Sequence, residues 1–349
     1  MVYIDRKKLI EKKIINDWFD YQGLDMSIIQ LYQYYDNTFT NWLKEYADAY
    51  GIKNCCFYIQ DNDKCNAFAQ RKNGYNIIGI TNGYCILMHN KLSSEYFKNI
   101  VLVGLLNEPD ISEAYCDLIY VDRFDLIKFI QNCSSMFIFR HEFQHLLQMN
   151  YETNYFDESM INEIFKISKF DLKKHIWEFD ADRISSFEIL KYVFRVYSKY
   201  AFKNERKLIC LLYISIASML ITLSIFYFGI ADQTQEPYFI NQIPFYTEMY
   251  SHPHPLVRCT NIMEYMYGCI VEDFPALEVN PQSILNNSMG IMNLYFNEIV
   301  SGKSIMNVFL DEMKKHINEI NDYLQKLYDW AVNDEAIKSI LLKRGISFD

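Results

Sequence analysis

Met136-Phe137-Ile138-Phe139-Arg140-His141-Glu142-Phe143-Gln144-His145-Leu146-Leu147 sets two histidines four residues apart, with a glutamate directly after the first, inside an apolar run. On an α-helix, residues i and i+4 share a face, so both imidazoles can reach one ion. Glu142 would project beside them, able to take a proton from metal-bound water without being a ligand. Zinc lowers the pKa of such a water to about 7. Two core histidines on a buried helix would give the same spacing, so a third ligand has to decide.

Three protein ligands and an open position make a catalytic zinc site. Trp177-Glu178-Phe179-Asp180-Ala181-Asp182 begins 32 residues after His145 and reads as a second helix. Glu178 can complete the ligand set, with Glu158 and Glu163 as the competing carboxylates. Asp182, one turn further on the same face, can accept a hydrogen bond from a ligand histidine and fix its tautomer. Its alternative reading is a surface ion pair with a nearby Lys or Arg.

Outward from these helices the pattern changes. Residues 1–50 space apolar and aromatic side chains by three and four through Ile28, Leu31, Tyr34 and Phe39, which predicts helix. Cys55–Ile59, Ala67–Ala69, Ile77–Ile80 and Tyr84–Met88 read as short strands separated by the turn formers DNDK, RKNG and TNG. After residue 120 the chain reads as helix throughout, with no strand expected. Few strands followed by many helices give an α+β fold.

Composition narrows the function. The 349 residues are 50% hydrophobic and 22% charged, which supports a sizeable core. A net charge of −10 argues against a nucleic-acid partner, because phosphate binding needs a basic surface. Nine cysteines, without a CxxC pair or an apolar leader, indicate a reducing, cytoplasmic setting. Leu208–Ala231 carries no charge and is long enough to span a bilayer. A membrane span and a buried central helix both fit it.

These residues resemble a known family. His141-Glu142-Phe143-Gln144-His145 followed by Glu178-x-x-Ala181-Asp182 is similar to the gluzincin pattern of the CAAX prenyl protease and HtpX-type metallopeptidases. Asn66-Ala67-Phe68-Ala69 and Ile77–Gly83 resemble two strands that precede the family's metal helix. Ser251-His252-Pro253, with Arg258 six residues after His252, resembles its SHP…R motif. The likeness covers roughly residues 55–265.

The resemblance implies a zincin fold, mostly helical, with a small sheet whose edge strand lines the cleft. It implies an N-terminal helical region at 1–50, a metallopeptidase core at 51–272 and a C-terminal helical region at 273–349. His141, His145 and Glu178 would hold one Zn2+, with Glu142 as the general base. His252 and Arg258 would stabilise the oxyanion. The strand at Asn66, Ala67, Phe68 and Ala69 would hold an extended protein or peptide substrate by strand addition.

Two departures stand out. About fifty residues separate Met88 from His141 where the family has a short link. The family is multi-spanning, whereas here one segment alone could cross. A single crossing at 208–231 would put His252 across a bilayer from His141, so the shared motif favours a buried helix and disfavours membrane association. A membrane-anchored regulatory protease and an inactive zincin-fold binding protein are the alternatives.

Overall fold

The computed structural model describes residues 6–152, 158–162, 169–227, 244–299 and 305–345. The chain opens with helices α1 (Arg6–Glu11) and α2 (Met26–Tyr50), followed by strands β1 (Cys55–Gln60), β2 (Ala67–Lys72) and β3 (Tyr75–Thr81). Helices α3 (Asn82–Leu92), α4 (Phe97–Gly104), α5 (Pro109–Tyr120) and α6 (Leu126–Tyr151) come next, then strand β4 (Glu158–Asn162). The remainder is helical: α7 (Leu172–Tyr197), α8 (Glu205–Tyr227), α9 (Pro255–Asp273), α10 (Pro281–Ile299), α11 (Ile305–Ala331) and α12 (Glu335–Lys343). The fold is α+β, mostly helical with a small sheet.

The sheet has the order β1-β3-β2-β4. Asn73-Gly74 joins β2 to β3 with both residues at positive φ, 50° and 76°, which suits the two-residue hairpin turn. β1 runs parallel to β3, and β4 runs antiparallel to β2. Gly79 faces Phe68 across the β2–β3 pair, where a Cβ would lie 2.2 Å from the ring. Any side chain at this position would force the buried Phe68 ring to move.

One apolar core joins the sheet to the helices. Phe39, Phe57, Phe139, Leu220, Met292 and Ile340 are all fully buried in it, so residues 1–50, 51–272 and 273–349 each contribute. A smaller cluster of Leu9, Ile14 and Ile15 covers the opposite sheet face at Cys56, Tyr58, Phe68 and Ile77. The nine cysteines are free thiols, and seven of them are buried.

α6 starts where Asp125 caps it, accepting from the Lys128 amide at 3.0 Å. Every residue from Cys133 to Met149 is buried, including the polar and charged Arg140, His141, Glu142, Gln144, His145 and Gln148. Asp171 caps α7 in the same way through the Lys174 amide. The two helices pack antiparallel, with Asn132 meeting Tyr192, Arg140 meeting Glu188, and Gln148 meeting the Trp177 carbonyl. Two i, i+4 pairs thereby face each other: His141 and His145 on α6, Glu178 and Asp182 on α7.

α8 is long and apolar enough to cross a membrane, yet residues 207–226 are buried within the fold. It is enclosed by α5, α6, α7, α9 and α10. Ser215, Ser218 and Thr222 donate to carbonyls one turn earlier, at 2.7–2.8 Å. Ser224 instead donates to the Met292 sulfur at 3.6 Å. Residues 228–231 lie outside the described residues.

Three expectations need correction. Tyr84–Met88 is helix, not strand, because the Thr81 hydroxyl accepts from the Tyr84 amide and starts α3. A strand does follow residue 120, namely β4. Its presence moves the sheet edge: Asn66–Ala69 is not an edge strand. Phe68 and Ala69 pair with β3 on one side and with Asn162 and Ile161 of β4 on the other. Asn66 is held by Thr81, which takes its amide and donates to its carbonyl. Among the described residues, Phe68 and Ala69 therefore have a strand on both sides and present no open edge.

Candidate metal centre

His141, His145 and Glu178 are buried, and one donor atom of each lies within 4.8 Å of the others. Glu178 Oε2 is 3.2 Å from His141 Nε2, and Glu178 Oε1 is 3.4 Å from His145 Nε2. Of the competing acids, Glu158 lies in β4 opposite Lys72, and Glu163 falls outside the described residues.

The outer nitrogens fix both tautomers. Gln148 Nε2 donates to the Trp177 carbonyl at 3.0 Å and to Asp180 Oδ2 at 2.8 Å. That turns Gln148 Oε1 toward His145 Nδ1, 2.7 Å away, and a carbonyl oxygen can only accept. His145 therefore carries its proton on Nδ1. His141 Nδ1 lies 3.1 Å from Asp182 Oδ1, which fixes the same tautomer. Both Nε2 atoms then present lone pairs to each other at 3.0 Å, beside the Glu178 carboxylate. Converging acceptors of this kind suit a cation, and imidazole and carboxylate donors are ones zinc takes.

Arg258, on the first turn of α9, closes one side. Its Nε and Nη2 donate to Asp182 at 2.9 and 2.7 Å, and its Nη1 is 3.3 Å from Glu178 Oε2. His252 Nε2 is 3.4 Å from Glu178 Oε1. Burial pushes the Glu178 carboxyl upward, but Arg258, His252 and His141 outweigh it and hold the group well below the usual carboxylate range. Glu142 is buried beside His141 on α6.

The geometry thus brings together His141, His145, Glu178, Asp182, His252 and Arg258, with Glu142 the buried neighbour of His141 in the chain. Ala67–Ala69 lie on β2, which packs against α6 and pairs with β3 and β4. Asp182 is no surface acid, being fully buried between His141 and Arg258.

Several supporting residues escape a reading of the sequence. Gln148 falls three residues after His145 and seven after His141, so helical spacing places it on their stripe. Gln144 donates to Asp180 and accepts from Arg344 of the chain's C-terminal end at 3.0 Å. His254 caps α9, its Nδ1 accepting from the Leu256 amide. Arg344 is 200 residues from Gln144, and nothing local marks it.

Family models, curated proteins and solved structures yielded no match to the chain.

Proposed function

We propose that this chain is a zinc-dependent endopeptidase of the gluzincin kind, cytoplasmic and acting on a protein substrate. The observation that supports this reading is the meeting of α6, α7 and the start of α9 at one buried centre. His141 and His145 come from the first, Glu178 and Asp182 from the second, and Arg258 from the third.

When bound there, zinc would polarise a carbonyl and bring the pKa of a water to about 7. His141, His145 and Glu178 would hold it, leaving a position open. Glu142 takes a proton and returns it to the leaving amine. Arg258 and His252 supply donors where negative charge develops on the scissile carbonyl oxygen. Asp182 keeps His141 in the ligating tautomer and holds the Arg258 guanidinium in place.

Metal analysis of the purified protein tests the centre, and about one zinc per chain is expected. Activity is tested by comparing new protein termini in cells expressing the parent chain with those expressing Glu142→Gln. Termini that appear only with the parent support the peptidase, whereas identical sets from both would refute it.

A further inference from the structure

His175 is fully buried one turn before Glu178, and among the described residues each ring nitrogen has one hydrogen-bond partner. Nε2 lies 2.6 Å from the Tyr250 carbonyl oxygen, and Nδ1 lies 2.8 Å from the Tyr323 hydroxyl. A carbonyl only accepts, so Nε2 carries the proton. Nδ1 is then a lone pair, and Tyr323 must be the donor to it. A directed chain results: Tyr323 hydroxyl to His175, and His175 to the Tyr250 carbonyl.

Tyr250 stands two residues before His252. The same short loop is held by the Tyr246 hydroxyl, which donates to the His252 carbonyl at 3.0 Å. The far end is set by Pro255 and the His254 cap of α9. His252 itself comes from this loop and not from a helix, so its place beside Glu178 depends on what fixes the loop backbone. Burial pulls the His175 imidazole down to about 4, which keeps it neutral and the chain's direction intact.

We propose that His175 and Tyr323 are positioning residues for His252, which makes α11 a working part of the metal centre and not an appended helix. The assignment rests on the peptidase reading only in giving His252 a catalytic task; the coupling itself does not need it. No local pattern joins Tyr323 to His175, since they are 148 residues apart.

Histidine-selective 15N labelling reads the coupling directly, in metal-free protein and without substrate. His175→Leu removes the donor to Tyr250, while His175→Gln keeps an amide N–H close to the position of Nε2. Tyr323→Phe deletes the hydroxyl alone and leaves the ring packed, so it guards against a misfolded Leu variant. The His252 ring signals are expected to shift in His175→Leu and Tyr323→Phe and to return toward the parent values in His175→Gln. With zinc loaded, turnover should fall roughly 10–100-fold in the first two with KM and zinc content unchanged. His252 signals identical to the parent in both variants would overturn the proposal. Shifted signals in a protein that takes up no zinc would leave the positioning intact and remove the peptidase reading instead.

Discussion

His141 Nε2 and His145 Nε2 face each other at 3.0 Å while the other nitrogen of each ring is committed to Asp182 and Gln148. Two lone pairs aimed at one point repel unless a cation lies between them. A divalent ion should therefore stabilise the fold as well as occupy it. At an ion concentration about a thousandfold above Kd the gain is about 4 kcal/mol. Chelation should lower the melting temperature of the parent, whereas His141→Ala and Glu178→Ala should melt alike with and without zinc. Glu142→Gln should keep its zinc and lose turnover. A Glu142→Gln protein as active as the parent would remove Glu142 from the chemistry.

Asp182 serves two partners at once, His141 and Arg258. Asp182→Asn should weaken zinc binding roughly 10–100-fold, the usual effect of losing a ligand's outer partner. It also leaves the Arg258 guanidinium buried without its main counter-ion, a defect worth about 3–5 kcal/mol. Adding Arg258→Met to Asp182→Asn should return part of that stability. Zinc competition titration and denaturant unfolding separate the two effects. Strictly additive losses in the double variant would show that the pair is not coupled.

His252 and Arg258 were legible only through the likeness of Ser251-His252-Pro253 and Arg258 to a family motif, whereas the ligand pairs were legible because their spacing is short and helical. His141 and His145, and Glu178 and Asp182, are i, i+4 pairs, and a helix converts each spacing directly into a shared face. Asn66–Ala69 failed because edge position is not a local property. It depends on whether β4, about ninety residues later, pairs with β2. Tyr84–Met88 failed because a five-residue apolar run has no period long enough to separate strand from buried helix. The Thr81 cap decided it. Tyr323 and Arg344 were invisible, since their roles exist only once the C-terminal helices have packed against α7 and α6.

His175 predicts a pH dependence. Its neutral form is buried, with a folded pKa of about 4 against an ordinary value of 6.5. Above pH 6.5 both folded and unfolded chains leave it unprotonated, and its contribution to stability is fully present. As the pH falls below 6.5 the unfolded chain binds a proton that the folded chain refuses. Stability then declines by about 1.4 kcal/mol per pH unit until the pH nears 4. In metal-free protein, denaturant unfolding between pH 7 and 5 should show this slope for the parent. His175→Gln should flatten it. An equal slope in both proteins would assign the acid sensitivity to other groups.

α8 offers the last test, because a core helix and a lipid-facing helix respond oppositely to the same change. Leu220 is fully buried in the main core, and the helix around it is enclosed on all sides by other helices. Thr222, whose own proton goes to the Ser218 carbonyl, accepts from the Ser134 hydroxyl of α6 at 2.8 Å, tying α8 to the metal-bearing helix itself. Truncating Leu220 to Ala should leave a cavity that this dense packing cannot close, at a cost of about 2–5 kcal/mol. The loss should appear in denaturant unfolding monitored in detergent-free buffer, and the intact protein should remain in the supernatant after high-speed centrifugation. On a lipid-facing surface the same truncation would leave no cavity, because acyl chains fill the space. A Leu220→Ala protein as stable as the parent, or one recovered only with membranes, would take α8 out of the core. It would also leave unexplained how His252 comes to lie 3.4 Å from Glu178.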